Sequence, residues 1–118
     1  MHTILFLCGK ARMRSPTAAE IARTVLVAET DFAGLSSDAD ERVSAEQIAW
    51  ADSIAVMEKA QLAKLKRQFG GLLRGKHVVC LDIADDYTFM QPELVALIQQ
   101  KLRRMFAKVQ ARPSPPNM

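Results

Sequence analysis

Apolar and polar positions along this chain switch repeatedly between a period near two and a helical period. Short apolar runs rich in β-branched residues, Thr3 to Leu7, Asp31 to Leu35, Ser53 to Met57 and His77 to Asp82, read as strands, and stretches of helical spacing lie between them. That alternation belongs to βαβ units around a parallel sheet. The first and last runs are nearly all apolar, as strands covered on both faces must be, so a three-layer α/β sandwich is expected.

The helical stretches carry start and stop signals. Ser15-Pro16 sets an N-cap candidate before a proline at the first helical position, and Ala18, Ile21, Ala22 and Val25 then form a stripe. Ser44 to Gln47 reads as a capping box, with Val43 and Ile48 placed as a hydrophobic staple, for a short helix ending near Ala51. A third helix, from about Glu58 to Phe69, buries Leu62, Leu65 and Phe69 and stops at Gly70-Gly71. The last opens at Pro92 and repeats Leu94, Leu97, Ile98, Leu102, Met105 and Val109 on one face, with Lys101, Arg104 and Lys108 elsewhere. Residues 1–110 read as one domain, and the proline-rich stretch 111–118 as a disordered tail.

Composition narrows the class of protein. A chain of 118 residues, 49% apolar and 25% charged, has room for one ordinary globular core. Its longest apolar runs are far too short to span a bilayer and Met1-His2 leads straight into a strand, so a cytoplasmic protein without a membrane partner is expected. Two cysteines without a Cys-x-x-Cys pair make neither a disulfide framework nor a zinc site, so free thiols and no metal are expected. The net charge of +3 includes a basic stretch from Lys59 to Arg74 and a basic last helix. With only one Trp and one Tyr for base stacking, these read as solvated helix faces rather than a nucleic-acid surface.

The chemistry gathers in Cys8-Gly9-Lys10-Ala11-Arg12-Met13-Arg14-Ser15, between the first strand and the first helix. A tight loop there aims unpaired backbone N–H groups from Gly9 to Ser15 at one point, where an anion such as phosphate or sulfate binds. The helix dipole and Arg14 should lower the pKa of Cys8 below the free-thiol value of about 8.5. Arg14 offers a planar fork for two phosphoryl oxygens. Ser15 either caps the helix or gives its hydroxyl to the Cys8 sulfur. Cys80, inside Val78-Val79-Cys80-Leu81, reads as a core position.

Transfer of a phosphoryl group to sulfur needs a proton for the departing oxygen and then a base for water. Asp82-Ile83-Ala84-Asp85-Asp86-Tyr87 follows the fourth strand, and the carboxyl ends of parallel strands share one ligand-binding edge, so this loop is the candidate source. Tyr87 either walls the pocket or packs.

Cys8, five residues, Arg14, Ser15 and Pro16 match the motif of the low-molecular-weight protein tyrosine phosphatases, and the chain resembles that family. The likeness continues through Thr17 to Glu20, Phe32 to Gly34 and Ala51 to Glu58. It implies a four-stranded parallel sheet in the order 2-1-3-4, a phosphocysteine intermediate, and no cofactor. By matching position it makes Cys8 the nucleophile, Arg14 the phosphate binder, Ser15 the thiolate partner and Asp85 the general acid, with Asp86 as rival where the family has proline. The implied substrate is a phosphorylated protein or a small aryl phosphate.

Departures from the motif are informative. Lys10 and Ala11 stand where the family has Gly and Asn, so a left-handed Ala11 would store about 1–2 kcal/mol in the loop. Met13 replaces a second cysteine, which removes a protective disulfide and leaves Cys8 open to further oxidation. Ser36 to Arg42 has no aromatic residue to flank a phosphotyrosine ring. A phosphate- or phosphoprotein-binding module with a drifted loop is the alternative to a phosphatase. Arsenate reduction, which a related group carries out on the same loop, needs further cysteines, and Cys80 in a core strand serves it poorly.

Overall fold

The computed structural model describes residues 1–10, 14–84 and 86–111. Its sheet has four parallel strands, β1 (His2–Cys8), β2 (Ala28–Gly34), β3 (Ser53–Val56) and β4 (His77–Cys80), in the order β2-β1-β3-β4. Around it lie α1 (Arg14–Val25), α2 (Ala45–Trp50), α3 (Lys59–Phe69) and α4 (Pro92–Met105). The expected α/β class and strand order both hold.

Strand alternation divides the core into two layers. Ile4, Phe6, Cys8, Ala55 and Met57 face Ala18 and Ala22 of α1 and Leu94, Ile98 and Leu102 of α4. Leu5, Leu7, Ile54 and Val56 face the other way, onto Ile48 of α2 and Leu65 of α3. Ile4 to Leu7 of the central strand are all 0% exposed, and each such side chain contributes about 1.5–3 kcal/mol by leaving water. β1 is thus a rigid base for whatever follows Cys8.

Several boundaries differ from the expectations. β2 starts at Ala28 rather than Asp31, because its polar residues Glu29, Thr30 and Asp31 lie on a half-covered edge strand where an apolar period does not mark the pairing. β4 ends at Cys80, since Asp82 takes a left-handed φ of 57°, yet Leu81 and Ile83 still donate to the carbonyls of Val56 and Met57, each at 2.8 Å. Gly70 does not stop α3 with a left-handed turn: its φ is −41°, the chain tightens into a 3-10 turn over Gly70–Leu73, and the left-handed residue is Gly75. α4 stops at Met105 instead of reaching Val109, and the ring of Phe106, 6.4 Å from that of Phe6, closes the core there.

The capping box at Ser44 and Gln47 is present, and Val43 and Ile48 share one apolar layer. Of the tail expected from 111 onward only Ala111 is described, bridging to Leu26. Among the described residues no helix is long and apolar enough to cross a membrane.

Candidate active site

Cys8 closes β1 at the carboxyl end of the sheet and is 3% exposed. The segment after β2 fastens the start of its loop: Leu35 N–H donates to the Cys8 carbonyl (2.9 Å), Ser36 N–H to that of Gly9 (2.9 Å) and Asp40 N–H to that of Lys10 (3.1 Å). In a trans peptide the N–H points opposite to the preceding C=O, so these bonds turn the N–H groups of Gly9 and Lys10 away from residues 35–40. Gly9 has open space where a Cβ would stand.

α1 begins at Arg14, so Ser15 lies inside its first turn rather than at the N-cap. Of the two roles expected for Ser15, the contact with sulfur is the one present: Oγ is 3.0 Å from Cys8 Sγ, and both residues are buried. Arg14 is buried as well. Its Nη1 donates to the carbonyl of Ile83 at 2.7 Å and lies 3.2 Å from Glu58 Oε1.

Glu58 is a site residue that the sequence reading missed. It lies two residues past the end of β3 and caps α3, and Gln61 fixes it there: Gln61 Oε1 accepts from the N–H groups of Met57 (2.9 Å) and Glu58 (3.0 Å). The available signal was the Glu58-x-x-Gln61 spacing at the end of a strand whose carboxyl end faces the Cys8 loop. Three strand ends therefore converge, through Cys8, Glu58 and Ile83.

Among solved structures the chain superposes on the YwlE arginine phosphatase from Geobacillus stearothermophilus at a TM-score of 0.70 and 20% identity, covering 92% of this chain and 95% of that one. On SP-PTP, the low molecular weight protein tyrosine phosphatase from Streptococcus pyogenes, it superposes at 0.71 and 12% identity, covering 92% and 93%. The tyrosine phosphatase AmsI of Erwinia amylovora gives 0.71 and 19%, again over 92% and 93%. The chain has the low-molecular-weight phosphatase fold. By sequence, neither a protein-family model nor a curated protein matches it.

In this phosphatase fold the other expected site residues fall as follows. Ala11, Arg12, Met13 and Asp85 lie outside the described residues. Asp82 and Asp86 are exposed in the segment after β4, while Tyr87 packs against the layer formed by α1 and α4. Met90 N–H donates to Thr17 Oγ1 at 3.0 Å, tying this segment to the first turns of α1, and leaves Phe89 52% exposed.

Lys10 pairs with Asp38 at 3.2 Å. The Ser36 hydroxyl donates to the same carboxylate, and this bond, with Lys10 second, holds the Asp38 carboxyl below its ordinary value. Cys80 is half-buried on the α2 and α3 side of the sheet, whereas Cys8 belongs to the opposite layer.

Proposed function

We propose that this chain is a cysteine-dependent phosphomonoesterase acting on phosphotyrosine or another aryl phosphate. The contact of 3.0 Å between Cys8 Sγ and Ser15 Oγ carries this reading, because it supplies a buried sulfur with a hydroxyl partner at a helix start. Arg14, the residue before Ser15, is anchored by Ile83 and Glu58 and supports it. Neighbours named as tyrosine and arginine phosphatases support phosphoryl chemistry of this kind.

The reaction runs in two steps. The Cys8 thiolate attacks phosphorus, an S–P bond forms, the ester O–P bond breaks, and the departing oxygen takes a proton from Asp85. Water then attacks the phosphocysteine, giving its proton to the same carboxylate and releasing inorganic phosphate and the thiolate. Backbone N–H groups from Gly9 to Ser15, through Lys10, Ala11, Arg12 and Met13, cradle the phosphoryl oxygens, and the Arg14 fork stabilises their charge as the transition state forms. Ser15 donates to the sulfur as it becomes the leaving group of the second step. Two free thiols support a reducing, cytoplasmic setting for this chemistry.

The test is hydrolysis of p-nitrophenyl phosphate in the presence of a chelator. Turnover with a burst of one equivalent is expected, abolished by Cys8→Ser and reduced at least a hundredfold by Asp85→Asn. Tight binding of vanadate without turnover would make the chain a phosphate-binding module instead. Phosphotyrosine and phosphoarginine peptides compared side by side assign the substrate, with the tyrosine ester expected to be preferred.

A further inference from the structure

At the edge of the sheet opposite Cys8, the amino ends of β1, β3 and β4 bring His2, Ser53 and His77 together, with Ser53 in register with Ile4 on one side and His77 on the other. Ser53 is fully buried, and its hydroxyl bridges the two imidazoles, 2.7 Å from His2 Nε2 and 3.2 Å from His77 Nδ1. His2 Nδ1 lies 4.0 Å from the Asp52 carboxylate. His77 Nε2 has no hydrogen-bond partner among the described residues.

Both rings line a cavity of about 520 Å³, together with Arg104, Met105, Phe106, Ala107, Lys108 and Val109. The lining holds two fixed cations and two imidazoles but no acid, and among the described residues neither Arg104 nor Lys108 pairs with a carboxylate. The carboxyl end of α4 accounts for a cation at Arg104. It does not account for Lys108, three residues past the end of α4, nor for a buried hydroxyl holding two imidazoles on the apolar side of a sheet.

We propose that this cavity binds an organic anion with an aromatic body. Phe106, whose ring meets His77 edge-on at 5.5 Å, forms with Met105 and Val109 an apolar wall for the body. Arg104 and Lys108 take the charge. Ser53 has one proton to share, so an anion at His77 Nε2 selects the arrangement in which His2 Nε2–H donates to Ser53, Ser53 donates to His77 Nδ1, and Nε2–H donates to the ligand. The seven residues of β1, at about 3.3 Å each, set this cavity about 20 Å from Cys8, so an anion here does not compete with phosphate in the loop.

The probe is 8-anilinonaphthalene-1-sulfonate, titrated into the full chain with vanadate present, and followed by fluorescence and by imidazole resonances. Saturable binding is expected, with a shift of the His77 ring signals and no displacement by vanadate. Affinity should fall about tenfold in the Arg104→Gln, Lys108→Gln double variant, and the neutral N-phenyl-1-naphthylamine should bind about tenfold more weakly than the sulfonate. Saturation without a His77 shift in the unaltered chain overturns the proposal whatever the variant does. Unchanged affinity in the double variant, or displacement by vanadate, overturns it too.

Discussion

Arg14 and Glu58 meet at 3.2 Å, one buried at the start of α1 and the other partly exposed at the N-cap of α3, just past β3. An arginine fork is useful to a phosphoryl group only if its plane is fixed beforehand, and the Ile83 carbonyl with the Glu58 carboxylate fixes it from two strand ends.

Glu58 should therefore act as a positioning residue for Arg14. Glu58→Ala is expected to lower kcat/KM for an aryl phosphate about tenfold or more and to destabilise the chain by about 1–2 kcal/mol, since it leaves a buried guanidinium short of a partner. Glu58→Gln keeps an acceptor in place and should recover most of the vanadate affinity. Equal vanadate affinity in the Ala variant and the parent would show that Arg14 holds its place without Glu58.

Ser15→Ala removes the hydroxyl 3.0 Å from Cys8 Sγ while keeping a good helix former inside α1. A hydrogen bond to a charged sulfur is worth about 1.5–3 kcal/mol, so single-turnover hydrolysis should slow by about ten- to a hundredfold. Circular dichroism should be unchanged. A rate within twofold of the parent would limit Ser15 to a packing role.

The contrast between Ser15 and Glu58 explains how much of the site was legible in the sequence. Cys8, Arg14 and Ser15 fall within one stretch of eight residues, and their spacing at a strand-to-helix junction marks them as candidates by itself. Glu58 looked like an ordinary helix start because its capping box with Gln61 satisfies every local signal. Its bond to Arg14 exists only because β3 lies beside β1, which is a property of the topology. The fold was legible for a related reason: the buried strands announce themselves by continuous apolar runs, whereas the polar edge strand β2 and the end of α4 depend on neighbours and were placed less well.

Thr17→Val keeps the shape of a side chain that accepts a bond from Met90 N–H while deleting its oxygen. The segment carrying Asp85 and Asp86 loses a tether to α1, at a cost of about 1–2 kcal/mol to the native state. With the proposed acid carried by this segment, the effect should fall on kcat more than on KM. A rise in KM alone would place the tether on the binding side.

Peroxide should drive Cys8 past the sulfenic acid. Cys8 and Cys80 lie in opposite layers of the core, so the sheet itself separates their sulfurs, and an internal disulfide would require β1 or β4 to turn over. Mass spectrometry of the oxidised chain is expected to find sulfinic and sulfonic Cys8, with inactivation that thiols do not reverse. A Cys8–Cys80 disulfide, or full recovery with dithiothreitol, would contradict this packing.

Asp52 gives the fold a dependence on pH that is separate from catalysis. Its carboxylate accepts from Thr3 N–H at 3.0 Å, while its own N–H donates to Thr3 Oγ1 at 2.8 Å, so the two residues clasp β1 to the start of β3. The Thr3 backbone bond, opposed by burial and helped to a lesser extent by the Thr3 side chain, His2 and Lys76, holds this carboxyl below its ordinary value. A pKa depressed on folding means that the unfolded chain binds the proton more readily. The stabilisation is then complete above the unfolded value of about 3.9 and disappears as pH falls through the folded value. Asp52→Asn keeps an acceptor but not the charge, so its melting temperature should lie below that of the parent at pH 7, and the gap should close near pH 2–3. Exposure limits the effect to no more than about 1 kcal/mol, and salt should shrink it. A gap that stays constant from pH 7 to pH 2.5 would mean that the charge of Asp52 contributes nothing to the clasp.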